Sequence, residues 1–128
     1  MVERMETGLA AEFVGVVRDV VFETGIQRQY HITISPVDIK VSGPTGVMHE
    51  WVGLSPKADE EKIPVGSVLD RYMQMLENCI PAAEKAKTVA EAFGMMKGKK
   101  FRFKRMKLGR DYEGNKAKEY LTPVALVA

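Results

Sequence analysis

The residues whose types and spacing most suggest a chemistry lie in one run, 97–110, which reads KGKKFRFKRMKLGR. This run holds eight of the 19 lysines and arginines of the chain and no acidic residue. The rest of the chain carries 11 basic against 17 acidic residues, so the formal net charge of +2 conceals a basic segment on an acidic body. Concentrated positive charge attracts polyanions, and the interleaved aromatic rings are surfaces on which nucleic-acid bases can stack.

Strand alternation divides this basic run between two faces. Phe101 and Phe103 share one face, and the other face holds Lys100, Arg102 and Lys104. Strands normally bury their aromatic residues, so the two phenylalanines are predicted to belong to the core rather than to stack on bases. A charged strand face is often only a solvated edge. Such faces usually mix both signs, however, and this one has cations alone.

The basic strand is also predicted to be irregular. Its apolar residues change parity at Met106 and Leu108. A shift of one residue moves a side chain to the opposite face of a strand, so a single buried face requires an extra residue. The pattern therefore predicts a β-bulge near Lys104 and Arg105.

Four further strands are predicted around the basic one. Residues 12–23 are rich in Val and Phe at both parities, which predicts a long strand that bends and is covered on both sides. Residues 27–35 alternate as a half-buried antiparallel strand, interrupted by Pro36 before the alternation resumes. Residues 47–54 and 120–127 are the remaining predicted strands.

A helical segment lies between the third predicted strand and the basic one. Ser67, with Asp70 three residues further on, resembles a capping box and predicts a helix start. Apolar residues then follow the i, i+3, i+4, i+7 spacing as far as Ile80. Pro81 predicts a break in the helix, and Thr88 a second start.

The resulting order, β-β-β-α-β-β, is that of the OB-fold, a mostly β, five-stranded Greek-key barrel. The end of the chain, FGMMKGKKFRF followed by a basic-polar loop and then YLTPV, resembles single-stranded DNA-binding OB domains of phages, plasmids and archaea. The resemblance covers residues 12–128, taken as one domain, with 1–11 as a flexible leader. Bacterial members carry a Gly-rich linker and an acidic tail that recruits partners. This chain ends in PVALVA, so recruitment through such a tail is not expected.

The resemblance implies binding of single-stranded nucleic acid, DNA before RNA, with little sequence preference. Ligands of OB-folds meet the face of the second and third strands, bounded by the loops after the first and fourth strands. Cations would contact phosphates, while Trp51, Tyr112 and His31 would stack on bases. For Trp51 a place in the core is an equal alternative. For His31, on the polar face of its strand, plain exposure is favoured over contact with a ligand. The candidate site residues are Arg28, His31, Trp51, Lys100, Arg102, Lys104, Arg105, Lys107, Arg110, Tyr112, Lys116 and Lys118.

No constellation typical of an enzyme is present in the sequence. His31, His49 and a single helical cysteine, Cys79, predict neither a metal site nor a cofactor. No nucleophile, base and orienting group can be assembled, so a non-enzymatic protein is expected. A lone cysteine fits the reducing cytoplasm of a prokaryotic, archaeal or virus-infected cell. No apolar run approaches the length of a membrane span, so no membrane partner is expected.

Two other functions remain open at the level of sequence. The chain can be an OB-fold subunit of a larger complex, with the basic strand docked on acidic side chains of another protein and no direct contact to nucleic acid. It can also be a small β-barrel enzyme or metabolite binder, which requires a pocket. Homo-oligomers are compatible with either. A single-stranded DNA binder would belong to replication or repair.

Overall fold

The computed structural model describes residues 12–39, 46–54, 58–109 and 117–128. The elements in chain order are β1 (Glu12–Thr24), β2 (Arg28–Pro36), β3 (Met48–Gly53), α1 (Val68–Cys79), a 3-10 turn (Pro81–Lys85), α2 (Val89–Gly94), β4 (Lys100–Lys107) and β5 (Glu119–Val127). The predicted order of strands and helical segment is confirmed. The predicted leader, residues 1–11, lies outside the described residues. No helix in the described part of the chain is long and apolar enough to cross a membrane.

All five strands form one antiparallel sheet in the order β3-β2-β1-β4-β5. Three consecutive strands form a meander and the fourth returns beside the first, which is the spatial order of a Greek key. The predicted closure into a barrel is not found, because β3 and β5 are the two edges of the sheet and no backbone ladder joins them within the described residues.

A side chain occupies the seam between the two edge strands. Glu50 of β3 is only 4% exposed, and its Oε2 accepts a hydrogen bond of 2.8 Å from the backbone N–H of Leu121 in β5. Its Oε1 accepts from the N–H of Trp51 at 2.9 Å and from Nζ of Lys118 at 3.0 Å. The carboxylate thus joins the two edge strands by side-chain hydrogen bonds and provides an acceptor for the buried N–H of Leu121.

The first strand has a β-bulge where a bend was predicted, but the predicted cover on both sides is wrong for its second half, where Val21 and Phe22 are exposed. The register between β1 and β2 shifts between Val17 and Asp19, so Arg18 is an extra residue in β1. Before this bulge β1 pairs with both β2 and β4, and beyond it the strand continues only as a hairpin with β2. The hairpin therefore extends past the body of the sheet and ends in the bend at residues 25–27.

The second strand differs from its prediction at the end. Alternation does not resume after Pro36, because β2 stops there and residues 37–39 form a bend. The N–H of Val37 donates to the carbonyl of Val14, and Asp38 Oδ1 accepts from the N–H of Val14 at 2.8 Å. Proline has no N–H to donate to a ladder, so the N–H of Val37 is the donor to Val14, and the Asp38 carboxylate is the acceptor for the N–H of Val14.

Phe101 and Phe103 are both fully buried, so their predicted place in the core is confirmed. Phe103 stacks on Phe13 of β1 with 5.6 Å between ring centroids. The predicted bulge is displaced: the register of β4 with β5 shifts between Arg102 and Phe103, not at residues 104–105. The extra residue lies in β5 beside Pro123, where the ladder again lacks an N–H donor.

The helical layer fills the inner face of the curled sheet. The Oγ of Ser67 accepts from the N–H of Asp70, and Oγ1 of Thr88 accepts from the N–H of Glu91, so both predicted helix starts are confirmed. Tyr72 of α1 is fully buried and donates its hydroxyl to the carbonyl of Leu121 in β5 at 2.9 Å. Helix α1 thus packs against the strand that borders the open seam. Its remaining buried side chains are Leu69, Leu76 and Cys79, and burial raises the pKa of the Cys79 thiol.

Helix α2 is held to β2 by one carboxylate. The hydroxyl of Tyr30 donates to Glu60 Oε1, and Glu60 Oε2 accepts from the N–H of Ala90 at 2.9 Å. Burial, and next the hydrogen bond to Glu60, raise the pKa of Tyr30 well above its ordinary value, so the phenol remains a donor. The ring of Tyr30 stacks on Phe93 of α2 at 4.8 Å.

The close packing of β1 on β2 leads to a stability prediction at Gly15. A Cβ at this buried position would lie 2.6 Å from Cγ2 of Ile34 and 3.3 Å from the carbonyl oxygen of Ser35. We expect Gly15→Ala to lower the free energy of unfolding by about 1–3 kcal/mol through overpacking. The matched control is Gly25→Ala, where a Cβ meets nothing within 4 Å. Urea unfolding followed by circular dichroism compares the two, and an equal cost would contradict the packing account.

Candidate nucleic-acid interface

Three rings meet on the outer face of β2 and β3. His31 is the register partner of Trp51, and His49 is that of Thr33, so all three side chains project to one side. His31 and Trp51 stack with centroids 4.7 Å apart and 20° between planes. His49 also stacks on Trp51, at 5.8 Å and 23°. We call His31, His49 and Trp51 the ring cluster.

The ring cluster is held in place from β1. Glu23 Oε2 lies 2.9 Å from Nδ1 of His31, and Gln29 donates to Glu23 Oε1 at 3.1 Å. The hydrogen bond from Gln29 is the main cause that lowers the pKa of Glu23, with further lowering by His31 and by a side-chain hydrogen bond from Trp51. Desolvation, which ranks after the hydrogen bond from Gln29 and before the effects of His31 and Trp51, raises the pKa of Glu23 and opposes this shift. An ionised Glu23 therefore orients both rings that touch it.

Exposure differs among the three rings. Trp51 is 39% exposed, and His49 is exposed as well, while the side chain of His31 is 21% exposed beneath its neighbours. The alternative of a core position for Trp51 is thus excluded, and His31 is partly covered rather than simply solvated. An exposed indole with its plane fixed by a stacked imidazole is a surface on which a further flat ring can stack.

The cations of β4 lie on the same outer face, because they alternate with the buried phenylalanines. Arg102 and Lys104 are exposed and Lys100 is half-buried. Acidic side chains offset part of this charge: Arg102 Nη1 lies 3.5 Å from Glu12, the register neighbour of Lys104. A similar exposed pair joins Lys97 to Asp19 at 3.5 Å. Exposed ion pairs of this kind are weak and leave the cations able to exchange partners.

We call Lys100, Arg102 and Lys104 of β4 the cation row, and this row is not in contact with the ring cluster. Lys100 lies opposite Val16 of β1, and His31 lies opposite Val21. Five residues of strand separate these two positions by about 16 Å along β1, and two strand spacings add about 10 Å across the sheet. A chain bound to both would therefore cross the outer face of β1 diagonally.

The other candidate residues are divided among several places. Lys107 is exposed and Arg105 half-buried near the end of β4. Lys118 lies 3.0 Å from Glu50 at the seam beside β3, with its Nζ also 4.5 Å from the ring centroid of Tyr120. Lys118 therefore lies at the seam between β3 and β5. Arg110, Tyr112 and Lys116 lie outside the described residues.

Arg28 lies away from the ring cluster, at a cleft of about 620 Å³. This cleft opens between the bend of the β1–β2 hairpin, the end of β3 and the start of α1. Nη2 of Arg28 donates to the carbonyl of Ala58 at 3.0 Å. Among the described residues that line the cleft, Arg28 is the only charged one, and the others are mainly small or apolar.

Sequence reasoning missed two members of this site, His49 and Glu23. His49 lies two residues before Trp51, and this spacing places both on one face of a strand. That signal was available. The contact between His49 and His31 depends on the register of β2 with β3. The position of Glu23 beside His31 depends on the bulge in β1, which no residue spacing indicates.

No protein-family model matches the chain, and no curated protein sequence matches it either.

Proposed function

We propose that this protein binds single-stranded nucleic acid, DNA before RNA, with little sequence preference. The observation that carries the proposal is the exposed ring cluster, whose Trp51 plane is fixed by His31 and Glu23 on the face of β2 and β3. Base–aromatic stacking tolerates every base because each has a flat face, so such a surface binds with little sequence preference. The cation row of β4 supplies the phosphate contacts.

The strand order supports the assignment of this chain to the OB class. The OB-fold is a partly open Greek-key barrel, with ligands on the second and third strands. Here the helix follows β3, the sheet has Greek-key order, and Glu50 bridges the open seam. The ring cluster lies on β2 and β3, the strands at which proteins of this class bind their ligands.

Binding of a fluorescently labelled oligothymidylate at low salt tests the proposal. Anisotropy measures the affinity, and the emission of Trp51, the single tryptophan, reports stacking directly. We expect the anisotropy to saturate, the tryptophan emission to be quenched in parallel, and the affinity to fall steeply as salt is added. No binding at low salt would refute the proposal.

Charge reversal on β4 tests the phosphate contacts. We expect the double variant Arg102→Glu with Lys104→Glu to reduce the slope of log affinity against log salt by about 1.4, since each lost phosphate contact contributes about 0.7 for single strands. The matched control, Lys85→Glu with Lys87→Glu, makes the same charge change on exposed residues of the helical layer. An equal loss in the control would indicate a general charge effect and would place the contacts elsewhere.

One observation favours a second function, that of a protein-interaction subunit. The β1–β2 hairpin exposes large apolar side chains at Val21, Phe22 and Ile26, with exposures of 46%, 38% and 111%. Exposed apolar patches often mark protein interfaces. Size-exclusion chromatography with light scattering, with and without oligonucleotide, separates the two functions. A stable oligomer that ignores DNA would favour the subunit.

A further inference from the structure

The ring cluster permits a second chemistry, because two of its three rings are imidazoles. His31 and His49 occupy diagonal positions on neighbouring strands, since their register partners are Trp51 and Thr33. Diagonal neighbours in an antiparallel pair lie within reach of ring side chains. Nε2 of His31 lies 2.8 Å from Nδ1 of His49, with the ring centroids 4.9 Å apart.

Glu23 determines which nitrogen of His31 carries a proton. An ionised carboxylate only accepts hydrogen bonds, so Nδ1 of His31, at 2.9 Å from Glu23 Oε2, is a donor. In the neutral imidazole the lone pair is then on Nε2, the atom that faces His49. A carboxylate bonded to the far nitrogen of a histidine is the arrangement that orients metal-binding imidazoles and raises their basicity.

The separation of the two nitrogens fits one type of metal geometry. An imidazole nitrogen binds a first-row divalent metal ion at about 2.0 Å. If the nitrogen–metal–nitrogen angle is a right angle, the two nitrogens are about 2.8 Å apart, and if it is tetrahedral they are about 3.3 Å apart. The observed 2.8 Å is the length of the hydrogen bond that joins the two rings without metal. It also equals the spacing of two nitrogen ligands at a right angle, so a small rotation of the rings, without separating the nitrogens, would turn both lone pairs towards a Cu²⁺ or Ni²⁺ ion in a tetragonal site.

We propose that His31 Nε2 and His49 Nδ1 form a binding site for a divalent transition-metal ion of tetragonal preference, with Cu²⁺ bound most tightly. Among the described residues no group of three or more His, Cys, Asp and Glu side chains could hold a metal ion, so the proposal rests on these two nitrogens alone. Water occupies the remaining coordination positions. The order of affinity follows the general series, with Cu²⁺ above both Ni²⁺ and Zn²⁺.

Binding requires a rearrangement of one proton. When both rings are neutral, Nδ1–H of His49 donates to Nε2 of His31, so that proton must leave Nδ1 before the metal binds. It moves through water to Nε2 of the same ring, which leaves the net charge of the ligands unchanged. A singly protonated pair instead releases one proton to solvent, so metal affinity falls as the pH is lowered. The proposal does not depend on nucleic-acid binding.

The test is a titration of the full, metal-free chain with Cu²⁺ in a non-coordinating buffer. Trp51 is the only tryptophan, and both imidazoles stack on it, so bound Cu²⁺ is expected to quench its emission. We expect quenching to saturate at one equivalent, with an electron paramagnetic resonance spectrum split by two imidazole nitrogens. Quenching without saturation, or a spectrum without nitrogen splitting, would overturn the proposal.

Variants separate the site from general surface binding. His49→Gln is expected to lower Cu²⁺ affinity at least tenfold and to remove one nitrogen coupling, while circular dichroism confirms the fold of this exposed-face variant. Glu23→Gln is expected to lower the affinity about 10–100-fold, since it removes the group that orients His31. Glu84→Gln removes an exposed carboxylate of the 3-10 turn and should change nothing. Equal affinity in His49→Gln and the unaltered chain would overturn the site.

Discussion

Replacement of Trp51 by alanine is expected to weaken oligonucleotide binding about five- to 150-fold. The estimate follows from the roughly 1–3 kcal/mol that one base–aromatic stacking contact contributes. Trp51 is 39% exposed on the outer face, so its removal should leave the buried core intact. Anisotropy with labelled oligothymidylate at fixed low salt measures the loss, and circular dichroism verifies the fold.

Two matched variants show whether the ring itself binds the base. Trp51→Phe retains a flat ring and should recover much of the affinity. Leu126→Ala removes another large exposed apolar side chain, 49% exposed on β5, and should bind normally. If Trp51→Ala binds as tightly as the unaltered chain, stacking at the ring cluster does not contribute, whatever the cations of β4 do.

Local patterns predicted most of the fold. The alternation of Phe101 and Phe103 with cations indicated their burial, because one face of a half-buried strand must be apolar. Ser67 and Thr88 indicated the helix starts, because their hydroxyls accept from N–H groups of the first turn. The prediction of a closed barrel was wrong, because β3 and β5 are the edges of the sheet among the described residues. Their contact through Glu50 joins residues 71 positions apart, which no local pattern indicates.

The candidate site was predicted less completely than the fold. Strand parity alone cannot pair residues of different strands, so the stack of His31 on Trp51 depended on a register that the sequence does not encode locally. For the same reason the cations of β4 and the ring cluster could be assigned to strands but not placed relative to each other. Their separation of about 16 Å along β1 follows from the pairing of β1 with both neighbours.

Replacement of Glu50 by alanine is expected to lower the free energy of unfolding by about 2–4 kcal/mol. The carboxylate is 4% exposed and accepts hydrogen bonds from the N–H groups of Trp51 and Leu121 and from Lys118. Its removal leaves the buried N–H of Leu121 without an acceptor, which costs about 1–3 kcal/mol, and also removes hydrogen bonds to a charged group. Urea unfolding followed by circular dichroism gives the change.

Lys118→Ala is the control that separates the hydrogen bonds of the seam from its ion pair. The side chain of Lys118 is 55% exposed and that of Glu50 is 5% exposed, so Lys118→Ala leaves a buried carboxylate that keeps its two N–H donors but loses its cation. We expect a cost of about 1–2 kcal/mol, below that of Glu50→Ala, because no buried N–H loses its acceptor. A cost equal to that of Glu50→Ala would mean that the ion pair, not the bond to β5, stabilises the seam.

Glu50 directly precedes Trp51, so the loss of its hydrogen bonds also frees the strand that carries the ring cluster. Glu50→Ala should therefore weaken oligonucleotide binding even at temperatures where the variant is fully folded. Gly15→Ala, which is destabilised at a site remote from the ring cluster, is the control and should bind normally under the same conditions.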